Sequence, residues 1–159
     1  MAAMLAGPCP EFLPLLVMRT GDWVRAVRDR ARAGLVLLLA DDPGTYLPAV
    51  LPTALAVEGR RRGGFAGTQV LAALVAAPPA LRQAVAAGAD RGQRRFLFDI
   101  ALGQGWLRRD DLVAAAEADP DVVIRGRAAE AACREALWTR HTATLDRLTR
   151  SRSARGPGR

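Results

Sequence analysis

The sequence predicts an all-α protein built of paired helices, and three observations carry that expectation. Half of the 159 residues are apolar, yet only 5% are aromatic. Alanine and leucine supply most of the apolar content; both are strong helix formers, and alanine lets helices approach closely. Strands would need Val, Ile, Thr, Tyr and Phe in alternation, and no convincing alternating run occurs. Apolar residues instead recur at helical spacing, most clearly over residues 23–40. There Val24, Val27, Ala31, Gly34, Leu35 and Leu38 share one stripe, while Arg25, Arg28, Arg32 and Asp29 take the polar side.

Residues 10–20 read as a short helix around Phe12, Leu15, Leu16 and Met18. Thr20-Gly21-Asp22 ends it, and Asp22 is the expected N-cap of the next helix. Asp41-Asp42-Pro43-Gly44 is a strong turn. A helix over 45–57 follows; Pro48 is tolerable near its start, whereas Pro52 is expected to kink it. Arg60-Arg61-Arg62-Gly63-Gly64 reads as a loop. Helical patterns cover 65–77 and 79–88, separated at Pro78-Pro79, and then 91–103. Asp110-Asp111 opens a short helix ending near 118. Asp119-Pro120-Asp121 is the next start signal, with Asp119 as N-cap and Pro120 at the first helical position. That helix runs to about residue 137, and 139–150 forms the last. Residues 1–150 make one helical repeat domain; 151–159 read as a disordered basic tail or as a further repeat cut short.

Two of these helices repeat one pattern. Asp22, four residues, then Val27-Arg28-x-x-Ala31-x-x-Gly34-Leu35 matches Asp119, four residues, then Ile124-Arg125-x-x-Ala128-x-x-Ala131-Ala132. Weaker copies fit the same frame at Arg95-x-x-Phe98-x-x-Ala101-Leu102, at Gly67-x-x-Val70-x-x-Ala73-Leu74, and at Ala154-Arg155. The pattern resembles the second helix of a HEAT repeat: an Asp in the turn, an aliphatic-Arg pair, then small residues at helical spacing. The resemblance covers about two-thirds of the chain and implies a right-handed α-α superhelix of stacked antiparallel helix pairs. It also implies an Asp–Arg ladder, each arginine reaching the capping turn of an adjacent repeat. Ala154-Arg155 meets Gly156-Pro157-Gly158, so the last copy starts and stops.

The formal charge is +7, and every one of the 23 basic residues is arginine. The charge is uneven. From residue 140 onward there are six arginines against one acid, while the first 139 residues hold 17 arginines and 15 acids. The body is therefore near neutral and the tail basic, which weakens a nucleic-acid reading of the high pI. Cys9 and Cys133 are far apart and read as free thiols. The N-terminus has no basic start and too short an apolar stretch for a signal peptide. The longest apolar run, residues 33–40, spans 8 residues against the ~20 of a membrane helix. The expectation is a soluble, cytoplasmic protein without a membrane partner.

Catalytic chemistry finds no foothold. His141 is the single histidine, and the two serines, Ser151 and Ser153, lie in the tail. Without lysine there is no phosphate-loop lysine and no Schiff base. Asp110-Asp111 and Asp119-x-Asp121 are helix starts, where the helix dipole favours negative charge. Gly63-Gly64-x-x-Gly67 and Gly103-x-Gly105 match no dinucleotide fingerprint. No metal, cofactor or catalytic residue is expected. The resemblance implies a protein–protein interaction module, with Arg28, Arg125, Trp23 and Trp138 as candidate contacts to an unknown protein partner. A second reading is nucleic-acid binding through Arg60, Arg61, Arg62, Arg150, Arg152 and Arg155. A third is an accessory factor of an enzyme.

Overall fold

The structure, a computed structural model, describes residues 10–140 and 142–154. Among them every regular element is helical. A 3₁₀ turn, Pro10–Phe12, leads into α1 (Leu13–Arg19) and α2 (Arg25–Asp41). There follow α3 (Pro43–Glu58), α4 (Gly64–Ala76), α5 (Pro79–Ala87), α6 (Arg91–Gly103), α7 (Arg109–Ala118), α8 (Val122–Thr139) and α9 (Thr142–Ala154). No helix among the described residues is long and apolar enough to cross a membrane. The chain divides into two compact units, one through Gln93 and one from Arg94, and the division falls in the first turn of α6.

In the first unit α1 packs on α2 and α3, α2 on α3 and α4, and α3 on α4 and α5. The core is aliphatic: Leu13 and Val17 of α1, Leu35 of α2, Leu47, Val50 and Leu51 of α3, and Val70 and Leu74 of α4 are almost fully buried. α3 stays continuous although Pro48 and Pro52 lie inside it. Each proline costs the helix a backbone hydrogen bond, about 3 kcal/mol in an interior position. Against that, α3 buries five side chains, Leu47, Val50, Leu51, Ala54 and Val57, and each buried Leu or Val contributes about 1.5–3 kcal/mol. Asp42 starts the helix by accepting from the Thr45 amide at 3.1 Å, with Pro43 in the first turn.

In the second unit α7 packs on α8, and α9 packs on both. Leu112 and Val113 of α7 meet Ala131 and Ala132 of α8, with Phe98, Leu102, Leu107 and Leu148 around them. Ala128, Ala131, Ala132 and Ala136 are all buried on α8, so small side chains set the helix spacing. The pair is antiparallel: Arg109, opening α7, donates to Glu135 at 3.1 Å and Thr139 at 3.0 Å near the end of α8. Arg147 of α9 grips Glu117 near the end of α7 with two hydrogen bonds of 2.8 and 2.7 Å.

The helix starts differ from the sequence expectation in one consistent way. Asp22 is not the N-cap residue of α2, nor is Asp119 that of α8. The caps are Val24 and Asp121, and Pro120 lies outside its helix. Each early aspartate instead accepts from the amide two residues on, Val24 at 2.9 Å and Asp121 at 2.8 Å. This local turn holds the chain extended for two more residues before the helix begins. At the other end, α9 continues through Ala154, four residues past the expected stop, with residues 155–159 outside the described part.

The α3–α4 loop is set by a close backbone approach. A Cβ on Gly63 would lie 1.6 Å from the Val57 carbonyl oxygen, whereas one on Gly64 would meet nothing within 4 Å. Gly63→Ala is therefore expected to lower the unfolding free energy by about 2 kcal/mol. Gly64→Ala, in the first turn of α4, should leave it unchanged or slightly raised. Urea denaturation followed by circular dichroism measures both, and equal effects at the two positions would contradict the loop geometry.

Candidate functional site

The two strong repeat copies fold into the same local device. Arg28 Nη1 donates to the Asp22 carbonyl at 2.9 Å and lies 3.5 Å from that of Trp23. Arg125 Nη1 donates to the Asp119 carbonyl at 2.8 Å and lies 3.4 Å from that of Pro120. In both, the arginine reaches back six residues and closes the turn that precedes its own helix. These carbonyls lie outside the helix and have no helical amide to accept from, so the guanidinium satisfies them. Arg28 and Arg125 are thus held in the fold, each bonded to its own turn and, among the described residues, to no other helix's cap.

A bond from one helix to the start of another does form at the weaker copy. Arg95, of the weaker copy, donates to both Asp121 carboxylate oxygens, at 2.9 and 3.1 Å. Its neighbour Arg94 donates to Asp119 at 2.9 Å. Asp121 is 3% exposed, so its carboxylate depends on these partners and on the Val123 amide, 2.8 Å away. Arg127 adds an ion pair to Asp99 of α6. The motif aliphatic differs between copies. Ile124 is buried, whereas Val27 is exposed.

Two of the three tryptophans are on the surface. Trp23 is 83% exposed and Trp138 is 84% exposed, with exposed Leu137 beside the latter. Trp106 is half-buried. Arg60, Arg61 and Arg62 are exposed on the α3–α4 loop, and among the described residues none of them carries an ion pair. Arg150 is exposed on α9 with its Nε bonded to the Asp146 carbonyl at 3.1 Å. Arg152 lies within α9, and Arg155 lies outside the described residues, as do His141 and Cys9. Cys133 is a half-buried free thiol. Among the described residues no group of three His, Cys, Asp or Glu side chains is arranged to hold a metal. Asp110 and Asp111 lie in the first turn of α7, where Asp111 accepts from the Arg108 amide at 2.9 Å.

The site that sequence patterns missed is a cleft of about 90 Å³ in the first unit. Val17 and Val57 floor it, and Met18, Arg60 and Arg62 stand around it. No periodicity signals it, because it arises where the α1–α2 turn meets the α3–α4 loop. A Cβ on Gly21 would touch the Arg62 carbonyl oxygen at 3.2 Å, so the two segments lie backbone to backbone. Arg32 ties them together from behind: its Nε donates to the Thr20 carbonyl at 3.0 Å, and its guanidinium lies 4.6 Å from the Phe65 ring centroid.

Comparison with protein-family models, with curated proteins and with solved structures finds no match.

Two carboxylates beside these turns are depressed. The Arg19 guanidinium, bonded at 2.7 Å, and then the Val24 amide hold Asp22 below its ordinary 3.8. The Thr45 hydroxyl and amide do the same for Asp42. A carboxylate depressed by folding stabilises the native state above its ordinary value, and that contribution disappears as pH falls through the folded value. The thermal midpoint should therefore be flat near neutrality and fall below about pH 4, less steeply in Asp22→Asn. A pH series by calorimetry checks this; identical slopes for wild type and variant would contradict it. For the turn-closing arginines, Arg28→Ala and Arg125→Ala should each lower the unfolding free energy by about 2 kcal/mol. Unaltered denaturation midpoints in both would show that the carbonyls are as well served by water.

Proposed function

We propose that this chain is a non-catalytic protein–protein interaction module, a HEAT-like scaffold or adaptor whose helix pairs stack in a right-handed superhelix. The observation that carries the binding reading is the exposure of Trp23, in the turn before α2, and of Trp138, near the end of α8. Tryptophan offers a large apolar surface with one polar handle, and it is enriched among residues that dominate binding energy. Leu137 beside Trp138, and Val27 and Val24 after Trp23, extend apolar surface around each ring. The stacking is supported by the helix order in each unit, by the shared Asp–Arg turn of two copies, and by the Arg95–Asp121 bond from α6 to the start of α8. The exposed arginines leave room for an acidic partner, and nothing in the described residues supplies a nucleophile paired with a base.

A photo-crosslinking residue placed at position 23 or 138, in the native cell, tests this reading. A discrete protein adduct is expected at one position or both, and none from position 149 on the exposed side of α9. The reading falls if positions 23 and 138 give the same background as position 149.

A further inference from the structure

We propose that the edge of the first unit where the α1–α2 turn meets the α3–α4 loop docks an acidic peptide segment that carries an aliphatic side chain among its acids. This rests on the interaction-module reading and gives one of its surfaces a partner chemistry.

The positive charge at this edge is uncompensated for a specific reason. Two of its acids are already engaged: Asp22 by Arg19 and the Val24 amide, and Asp29 by Arg25 at 3.4 Å and Arg28 at 3.9 Å. That leaves exposed Glu58, which lies toward Gly67 on α4, as one acid against three arginines. Arg60, Arg61 and Arg62 follow in sequence with no ion pair among the described residues. Elsewhere arginines are mostly tied down: Arg94, Arg95, Arg109, Arg127, Arg134 and Arg147 all hold carboxylates. Guanidiniums with open donors bind carboxylates in two-pronged, charge-assisted fashion.

The edge is also fixed in place, so a ligand would not have to order it. The Arg60 amide donates to Val57 at 3.0 Å, and the Gly63 amide donates to Arg60 at 2.8 Å, closing the loop into a turn. Gly63 admits no side chain, and Arg32 binds the neighbouring turn from behind. Trp23, two residues beyond Gly21 in the same turn region, adds an exposed ring that an extended peptide can reach.

The cleft decides between a peptide and a nucleic acid. An apolar cavity of about 150 Å³ accommodates a benzene ring. At about 90 Å³, this cleft is too small for a nucleobase but admits a short aliphatic side chain against Val17, Val57 and Met18, with Thr20 and the arginines making its rim polar. A nucleic-acid backbone would also need a basic track, and here three of the unpaired charges are gathered in one short loop.

The test is fluorescence anisotropy of the full chain with a labelled twelve-residue peptide of Glu and Asp around one central Val, at about 50 mM salt to limit screening. Saturable binding is expected. It should weaken about tenfold in the triple variant Arg60→Ala, Arg61→Ala, Arg62→Ala, and several-fold in Trp23→Ala or when the peptide Val becomes Ser. Arg108→Ala, on the second unit, should bind as wild type. All five positions are exposed, and circular dichroism confirms that each variant folds. The proposal is overturned if the peptide does not bind, if the triple variant binds it equally, or if an oligothymidylate of twelve nucleotides binds more tightly and displaces it. Failure here together with an adduct at position 138 rejects this docking edge and leaves the interaction module standing; loss of the adducts as well rejects both.

Discussion

The fold depends on how the chain enters α2 and α8. Both helices are the long, core-facing members of their pairs, and both begin after an extended aspartate turn. In each turn the carbonyls point away from the helix and would be left without amide partners. A single guanidinium, six residues downstream, reaches back and accepts that task. The bond is local, so it does not wait for long-range contacts, and it fixes the direction in which the helix leaves the turn. In α8 that direction places Ile124, Ala128, Ala131 and Ala132 against their neighbours. In α2 it buries Ala31, Leu35, Leu38 and Leu39.

The same turn explains why α8 is better covered than α2. Position 121 is Asp, and its buried carboxylate caps Val123 while taking two hydrogen bonds from Arg95. The turn thereby becomes a joint between α6 and α8. The corresponding position before α2 is Val24, which can neither cap nor receive an arginine. It is 37% exposed. Val27 is left partly open where Ile124 is closed, and Trp23 is left on the surface. One substitution of an acid by an aliphatic residue separates an internal joint from an open edge.

Much of the helical layout was legible in the sequence, because alanine, leucine and turn residues act locally. The breaks at Gly21, Asp42, Gly63, Pro78, Gly105 and Pro120 lie between helices in the structure. Pro52 misled because its cost is local while its compensation, the burial of Val50, Leu51, Ala54 and Val57, is tertiary. The cap positions were shifted by two residues because an aspartate at a helix start can bond its own second-next amide as well as cap. The Asp–Arg spacing of six was visible as a pattern, but its meaning was not. Spacing alone could not tell an arginine that closes its own turn from one that reaches the cap of another helix. Position 95 does the second, and positions 28 and 125 do the first.

The candidate surface was only half legible, for a reason that lies in the arginines. A chain without lysine must use one side chain both for structural hydrogen bonds and for surface charge. Counting arginines therefore overstates the charge available to a partner, since a guanidinium bonded to Asp121 or Glu117 is already neutralised. The overall excess points to the tail, but the pairing in the folded units points elsewhere. When the bonded arginines are set aside, the consecutive group at Arg60–Arg61–Arg62 is the concentration that remains in the described units. It stands at a small cleft that no sequence pattern announces, because two backbone segments distant in sequence make it. What a partner would recognise is the charge that folding leaves unpaired, and that quantity belongs to the structure and not to the composition.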